Sequence, residues 1–420
     1  MKIELLPHQK KAIQRTENFN RVAYYHDMGL GKTFTGSEKL MSYKTHKKLI
    51  ICQKSKLPDW IEHMNKYYSD IVYDLSDKDQ FYRYIVSHNS IGVINYDLVF
   101  RRPDIAKLHD FSLLLDESSL IQNSKAKRTK FILKLNPDGI VLLSGTPVGG
   151  KYENLYSQLK LLGIKMTNSE YWSRFIKYRI ECYSGFPCKI PYGYKNVDEL
   201  ISLLNSHGAD FLKSDEVIDL PEQVFYHIDH GISNKYYDDI LRDKYTVIDG
   251  KEFIADNPLK RLLYLRICCG AYNAERLNRF SDLLESTDNR IVVFYNFNAE
   301  LDAIIKVCDK PYSIVNGQNK NIDNFVNHDN GVVFVQYQSG AMGLNLQKAN
   351  IIIYYSLPLS SELYEQSKKR IHRIGQKSTC FYYIMRCKKS VEEHIEKTLN
   401  MRRDYTDRLF EQYENEREAI

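Results

Sequence analysis

The sequence predicts an α/β protein made of two open parallel-sheet lobes in tandem, and three observations predict it. Short β-branched or aliphatic runs, each closed by turn or polar residues, recur in the first half: RVAYY (21–25), KLIIC (48–52), IGVINY (91–96), FSLLLDE (111–117) and GIVLLSG (139–145). A second set follows much later, in RIVVFYNF (290–297), YSIVNG (312–317), GVVFVQY (331–337), ANIIIYYS (349–356) and FYYIMR (381–386). Such runs between helical patterns are buried parallel strands, with ligands expected just beyond their carboxyl ends. The third observation is length, since 420 residues exceed one ordinary core and give two domains.

The text between the two sets is different. From roughly 160 to 280 it turns to long polar and aromatic stretches such as NSEYWSRFIKYRIECYSGFPCKIPYGYKN (168–196). DLPEQ, around Pro221, interrupts helical patterning and serves as the hinge. The expected domains are therefore 1–222, with a helical and aromatic insertion near 160–215, and 223–420, with a helical protrusion near 230–280. The charged stretch from Lys388 to Ile420 reads as a solvated helix.

Composition narrows the class. With 43% apolar and 27% charged residues the chain is a soluble globular protein without extended disorder. A formal charge of +6 permits a polyanionic partner without requiring one. Eight cysteines contain no CxxC pair, which excludes a readable zinc cage or disulfide framework and favours reduced thiols. The start, MKIELLPHQKK, has no apolar core of a signal peptide, and no run of about 18 apolar residues occurs, so a cytoplasmic protein with no membrane partner is expected.

Four stretches carry chemistry. HDMGLGKTF (26–34) follows a strand with a loop containing Gly29 and Gly31 and ending in Lys-Thr. Backbone N–H groups and a helix N-terminus there would surround a phosphate, Lys32 would reach the β and γ phosphates of a nucleotide, and Thr33 would hold Mg²⁺. His26 stands where strict GxxxxGK[ST] has its first glycine, and a plain strand-to-helix turn is the alternative. FSLLLDESSLIQN (111–123) places two carboxylates at a strand end, Asp116 for hydrated Mg²⁺ and Glu117 to orient and deprotonate the attacking water. The alternative for DESS is an acidic helix cap. VLLSGTPVGG (141–150) sets Ser144 and Thr146 at another strand end, a pattern that a plain turn also explains. In ELYEQSKKRIHRIGQ (362–376), Arg370 and Arg373 are three apart and share a helical face if the helix extends that far. Guanidinium groups so placed could neutralise γ-phosphate charge, or simply belong to a basic surface helix.

Taken together and in this order, these stretches resemble the SWI/SNF-type DNA translocase ATPases of helicase superfamily 2 over nearly the whole chain. LLPHQKKAI (5–13) is similar to that family's adenine-reading segment, with Gln9 as the base contact. HDMGLGKT looks like its phosphate loop, DESSLIQN its acidic motif with Asn123 where a Lys-Asn ending is usual, and VINYDLV (93–99) a strand and turn that touch DNA backbone. LLSGTPVGG matches the Ser-Gly-Thr-Pro motif that links nucleotide and DNA sites. RIVVFYNF, QYQSGAMGLNLQKAN (336–350) and YEQSKKRIHRIGQ (364–376) follow the second-lobe motifs. By the resemblance, Gly343 lies near the nucleotide cleft, Gln366 in the closing motif, and Arg370 and Arg373 are arginine fingers.

The resemblance implies two RecA-like doubly wound lobes, ATP and Mg²⁺ as cofactors, and stepping along double-stranded DNA without obligatory strand separation. The sequence departs from the family pattern at DESS, with serine where related motifs often carry histidine, and at QSGAMGLNL, with Ala and Met in a glycine-rich stretch that keeps Gly340 and Gly343. No bromodomain, chromodomain or histone-tail reader is recognisable. A monomer of bacterial or viral origin is expected, directed by a protein partner such as a nuclease or a recombination or repair factor. A strand-separating DNA or RNA helicase and an ATP-gated clamp with little turnover are the rival readings, and YWSRFIKYR (171–179) is a candidate for stacking on nucleic acid or for plain packing.

Overall fold

The structure, a computed structural model, describes residues 3–402 apart from 184–185, 215, 218, 341–345 and 374. The described residues divide into two compact units, the first ending at residue 217 and including Arg402, the second Asp219–Met401.

In the first unit seven strands form one sheet in the spatial order Ile71–Asp74, Ser90–Asn95, Lys47–Cys52, Phe111–Asp116, Gly139–Leu143, Arg21–His26, Ala209–Leu212. Every neighbouring pair is parallel. Because both faces are covered by helices, the strands are apolar at successive positions rather than alternately. Val22 and Tyr24 enter the core on one face, Ala23 and Tyr25 the core on the other, all fully buried. This parallel order has a chemical result. The strands ending at His26, Leu143 and Asp116 are consecutive in the sheet, so the loops that leave them emerge together at its carboxyl edge.

The second unit repeats the plan with six parallel strands in the order Gln223–His230, Cys380–Cys387, Ile351–Tyr354, Ile291–Tyr295, Val332–Gln336, Tyr312–Val315. Val292 and Phe294 face one apolar cluster, Ile291, Val293 and Tyr295 another. The expected α/β class with two doubly wound parallel sheets is what the chain forms.

The expected insertions each hold helices with a hairpin between them. Between helices Asn168–Phe175 and Val197–Asn205 lies an antiparallel hairpin, Ile176–Tyr183 paired with Phe186–Tyr194. In the second unit a smaller hairpin, Tyr245–Ile248 with Lys251–Ile254, separates helices Tyr236–Arg242 and Pro258–Gly270. The reason is periodicity: IKYRIECY and YTVI are rich in β-branched and aromatic residues that suit a pleated surface. The charged stretch near the end departs from a solvated helix. It is helical over 391–402, with Glu392, Ile395, Glu396 and Leu399 buried at helical spacing. Ile395 and Leu399 join the second unit's core, Glu392 pairs with the fully buried Arg276 at 2.8 Å, and Glu396 with Arg386 at 2.9 Å. Residues 403–420 lie outside the described ones. Among the described residues no helix is long and apolar enough to cross a membrane.

Candidate active site

Strand Arg21–His26 feeds a loop that turns into helix Lys32–Ser42 at Gly31. Gly31 occupies the left-handed region at φ +71°, and a Cβ there would stand 2.4 Å from Nε2 of Gln9. Only glycine satisfies both conditions. As the N-cap, Gly31 also brings no side-chain oxygen to the helix start, so the first-turn N–H groups are not bonded by a cap from that residue.

Gln9 is buried beneath this loop. Its Nε2 donates to the carbonyls of Leu30 (3.1 Å) and Gly31 (3.2 Å), and its Oε1 accepts from the Leu6 N–H at 2.8 Å. His8 adds a 3.0 Å contact to the Leu30 carbonyl. The amide expected to read a base thus holds the phosphate loop itself, and the base-reading role stays an expectation from the resemblance.

Lys32 folds its ammonium onto its own loop, donating to the carbonyls of His26 (2.9 Å) and Asp27 (3.2 Å). A Cβ on Gly145 would lie 3.3 Å from this Nζ, which brings the Ser144-Gly145-Thr146 turn directly against the lysine. Within that turn the Thr146 N–H donates to Ser144 Oγ at 3.2 Å. Gly29 sits in the same loop at φ +88°, and Thr33 is the second residue of the helix.

Asp116 closes the strand Phe111–Asp116, and its Oδ2 accepts from the indole Nε1 of Trp60 at 2.8 Å. Burial raises its pKa, opposed by the Trp60 bond and by the charges of Lys32 and Lys56. Lys32 and Asp116 therefore share one electrostatic environment although 84 positions separate them. Glu117 adopts φ +53°, ψ +61°, a left-handed conformation that costs a non-glycine residue roughly 1–2 kcal/mol. Such strain is held only where the surroundings over-determine it, and here it turns the chain sharply out of the sheet just after the carboxylate pair. Tyr96 of VINYDLV supports the turn by donating to the Asp116 carbonyl at 2.9 Å.

Thr33 and Asp116 offer a hydroxyl and a carboxylate, the hard oxygen donors Mg²⁺ takes, with substrate phosphates completing the set. Among the described residues no group of three or more His, Cys, Asp or Glu is arranged to hold a metal alone. All eight cysteines are free thiols.

One network was not legible in the sequence. His26, which replaces a loop glycine, is fully buried with Nε2 2.7 Å from Asp210 Oδ2, and Arg15 grips the same carboxylate through Nε (2.6 Å) and Nη2 (2.8 Å). Burial lowers the His26 pKa, so a neutral imidazole donates to an ionised carboxylate. Asp210 would be raised by its burial, yet the bonds from His26 and Arg15 bring it down to about 2. The neighbouring Asp27 accepts from the Ser214 hydroxyl at 2.9 Å. The strand Ala209–Leu212, whose Asp210 lies 184 positions beyond His26, thus clamps the phosphate loop from the side; only a pairing register, which sequence alone does not supply, reveals it.

In the second unit the helix holding Gln366 runs Ser361–Lys368 and stops there. Arg370 and Arg373 follow it in turns, the Arg370 N–H bonding to Ser367 O at 3.1 Å and Gln376 N–H to Arg373 O at 3.0 Å. The helix does not reach either arginine, so they do not share a helical face; the tightened three-residue turn after Lys368 ends it. Arg370 is buried and Arg373 half-buried. Gln376 fastens this segment, its Nε2 donating to Ala349 O (2.9 Å) and Gln347 O (3.2 Å). Gly343 lies outside the described residues. In the first unit, the aromatics of YWSRFIKYR are mostly core: Tyr171 and Phe175 are fully buried and Trp172 packs edge-on against Tyr178.

Comparison with known proteins gives a consistent set. The SNF2-related domain family matches residues 12–273, and the helicase conserved C-terminal domain family matches 275–375. A SWI/SNF-related matrix-associated actin-dependent regulator of chromatin subfamily A-like protein 1 homolog from Caenorhabditis elegans is 23% identical over 93% of this chain and 59% of its own length. The uncharacterized ATP-dependent helicase YqhH of Bacillus subtilis is 23% identical over 94% of this chain and 77% of its own length. The solved SWI2/SNF2 ATPase core of Sulfolobus solfataricus in complex with dsDNA aligns over 97% of this chain and 93% of its own, at 20% identity and a TM-score of 0.45. The chain spans little more than half the length of the nematode relative.

Proposed function

This chain belongs to the SNF2-related domain family, and on that premise we propose that it is an ATP-hydrolysing motor that moves along double-stranded DNA without obligatory strand separation. The observation that carries the reading is the convergence of three loops from consecutive strands: Lys32 with Asp116 in its field and Gly145 against its ammonium. Each has one part of phosphoryl transfer. Lys32 leaves the His26 and Asp27 carbonyls to balance β and γ phosphate charge, in a site where burial strengthens every charge interaction. Thr33 and Asp116 would hold Mg²⁺, which when bound neutralises charge on the transferring phosphoryl group. Glu117, fixed by its strained backbone, orients the attacking water and accepts its proton. By the resemblance, Arg370 and Arg373 would be the arginine fingers that offset charge in the transition state. The ATP-dependent helicase name of the Bacillus relative supports nucleotide use.

DNA would be held through phosphates by strand-end loops such as Asn95–Val99 and Ser144–Thr146, reading no bases. Stimulation of turnover should then be sequence-independent and should weaken steeply with salt. The test is ATP turnover without nucleic acid and with single strands, duplex, forked DNA and RNA, beside displacement of a triplex-forming strand. Stimulation by duplex with triplex displacement is the expected result. Efficient unwinding of a plain duplex, or stimulation by RNA alone, would replace the translocase with a strand-separating helicase.

A further inference from the structure

Gln158 lies in helix Tyr156–Leu161, outside every motif named above, and is fully buried. Its Oε1 accepts from the Ser118 hydroxyl at 2.8 Å and from the Tyr25 hydroxyl at 3.0 Å, while its Nε2 donates to the Pro147 carbonyl at 2.9 Å. These partners are not scattered. Tyr25 is the last residue but one of the strand that launches the phosphate loop, Ser118 directly follows Glu117, and Pro147 directly follows Thr146. One side chain therefore ties the strand that launches the phosphate loop to the segments after Glu117 and Thr146, at a point no solvent reaches.

The chemistry of the partners specifies an amide. Pro147 offers only a carbonyl, so a donor must face it, and two hydroxyls must find an acceptor on the other end. Burial drives the Tyr25 phenol far above its ordinary pKa, so it stays a donor. Of the common side chains only Gln, at this reach, provides an acceptor with two lone pairs and an N–H donor on one rigid plane.

We propose that Gln158 is a positioning residue that couples the acidic motif to the Ser144–Pro147 loop through Ser118, so that displacement of that loop by DNA moves Glu117 into register for hydrolysis. The proposal rests on the motor reading above and names the internal link that reading needs. Glu117 leaves the sheet at a strained residue and the next residue is pinned by Gln158, so a shift of Pro147 is transmitted over two hydrogen bonds to the backbone that aims the base.

The experiment compares Gln158→Met, Ser118→Ala, their double variant and Tyr25→Phe with the wild type. Measured for each are KM for ATP, kcat without DNA, kcat with saturating duplex, and Tm. Gln158→Met keeps side-chain volume and removes all three bonds; Ser118→Ala cuts only the arm to the acidic motif. Both should leave KM unchanged and lower the duplex-stimulated kcat on the order of 10- to 100-fold, the penalty expected for small misplacement of a catalytic group. The double variant should be no worse than Gln158→Met alone, because residues acting through one contact are not additive. Tyr25→Phe cuts the arm that reaches neither Glu117 nor Pro147, and should lower Tm while keeping duplex stimulation; this separates coupling from mere stability. If wild-type turnover responds to duplex and Gln158→Met responds equally, or the single effects multiply, or Tyr25→Phe loses stimulation as fully, the coupling is overturned and the motor reading stands. If wild-type turnover ignores every duplex, the motor reading fails first and the coupling falls with it.

Discussion

His26 and Asp210 meet at 2.7 Å with both side chains withdrawn from solvent, which fastens the base of the phosphate loop to the last strand of the first sheet. Asp210 is held at about 2, below the ordinary carboxylate value near 3.9, so the folded state binds this proton less tightly than the unfolded chain. The stability it contributes is therefore present above about pH 4 and lost as pH falls from there through about 2.

Asp210→Ala, which strands His26 and Arg15 beside an empty position, should cost about 3 kcal/mol, the scale for breaking a buried pair from one side. Calorimetric melting at neutral pH reads it as a clear fall in the first unit's transition. The same variant should show a flatter loss of Tm between pH 4 and 2 than the wild type. An unchanged acid slope would mean Asp210 carries none of it.

Lys32→Ala should reduce ATP turnover by at least about 10²–10³, since one preorganised cation is removed from the charge that develops in transfer. Glu117→Gln should bind Mg-ATP as tightly as wild type, in a fluorescent nucleotide titration, yet stall hydrolysis, because the amide keeps shape and loses basicity. Loss of nucleotide binding in the glutamine variant would make Glu117 a structural residue.

Arg373→Ala should lower kcat on the order of 10³ with ATP binding retained, by analogy with arginine fingers in general. Arg370 is the more buried of the two, so its alanine variant should show a lowered Tm in addition. Normal duplex-stimulated turnover in both would leave them with no part in hydrolysis.

Gly31→Ala meets two obstacles at once, a φ of +71° and Gln9 Nε2 at 2.4 Å from the new Cβ. The backbone alone costs about 1–2 kcal/mol. Displacing Gln9 frees the Leu30 and Gly31 carbonyls it holds, so KM for ATP should rise while kcat at saturation changes less. Gln9→Ala should raise KM similarly without the conformational cost, and a Gly31→Ala enzyme with native KM would contradict the link between them.

The parallel sheets and the three strand-end loops were legible because local pattern encodes them: an apolar run, a glycine turn, a Lys-Thr or a carboxylate pair. The hairpin Ile176–Tyr194 was not legible inside the helical and aromatic insertion because aromatics such as Tyr178 and Tyr194 also occur on helix faces, and tertiary packing decides between the two. The end of the helix at Lys368 was hidden for a similar reason, as nothing in SKKRIHRIG before Gly375 marks a stop. Arg15–Asp210, Tyr25–Gln158 and Trp60–Asp116 depend on strands and helices meeting from distant parts of the chain, and no spacing rule reaches across 195, 133 or 56 positions.

The bond between Trp60 and Asp116 makes the chain its own optical probe. The sequence has two tryptophans, and the other, Trp172, packs against the hairpin residue Tyr178. With Trp172→Phe only one indole would emit, and its N–H rests on the carboxylate assigned to Mg²⁺. Any cation drawing charge from that carboxylate weakens the bond and changes the polarity the excited indole feels. Binding of Mg-nucleotide would then be followed as a shift in intrinsic emission, in real time and with no label, at the residue where the metal acts.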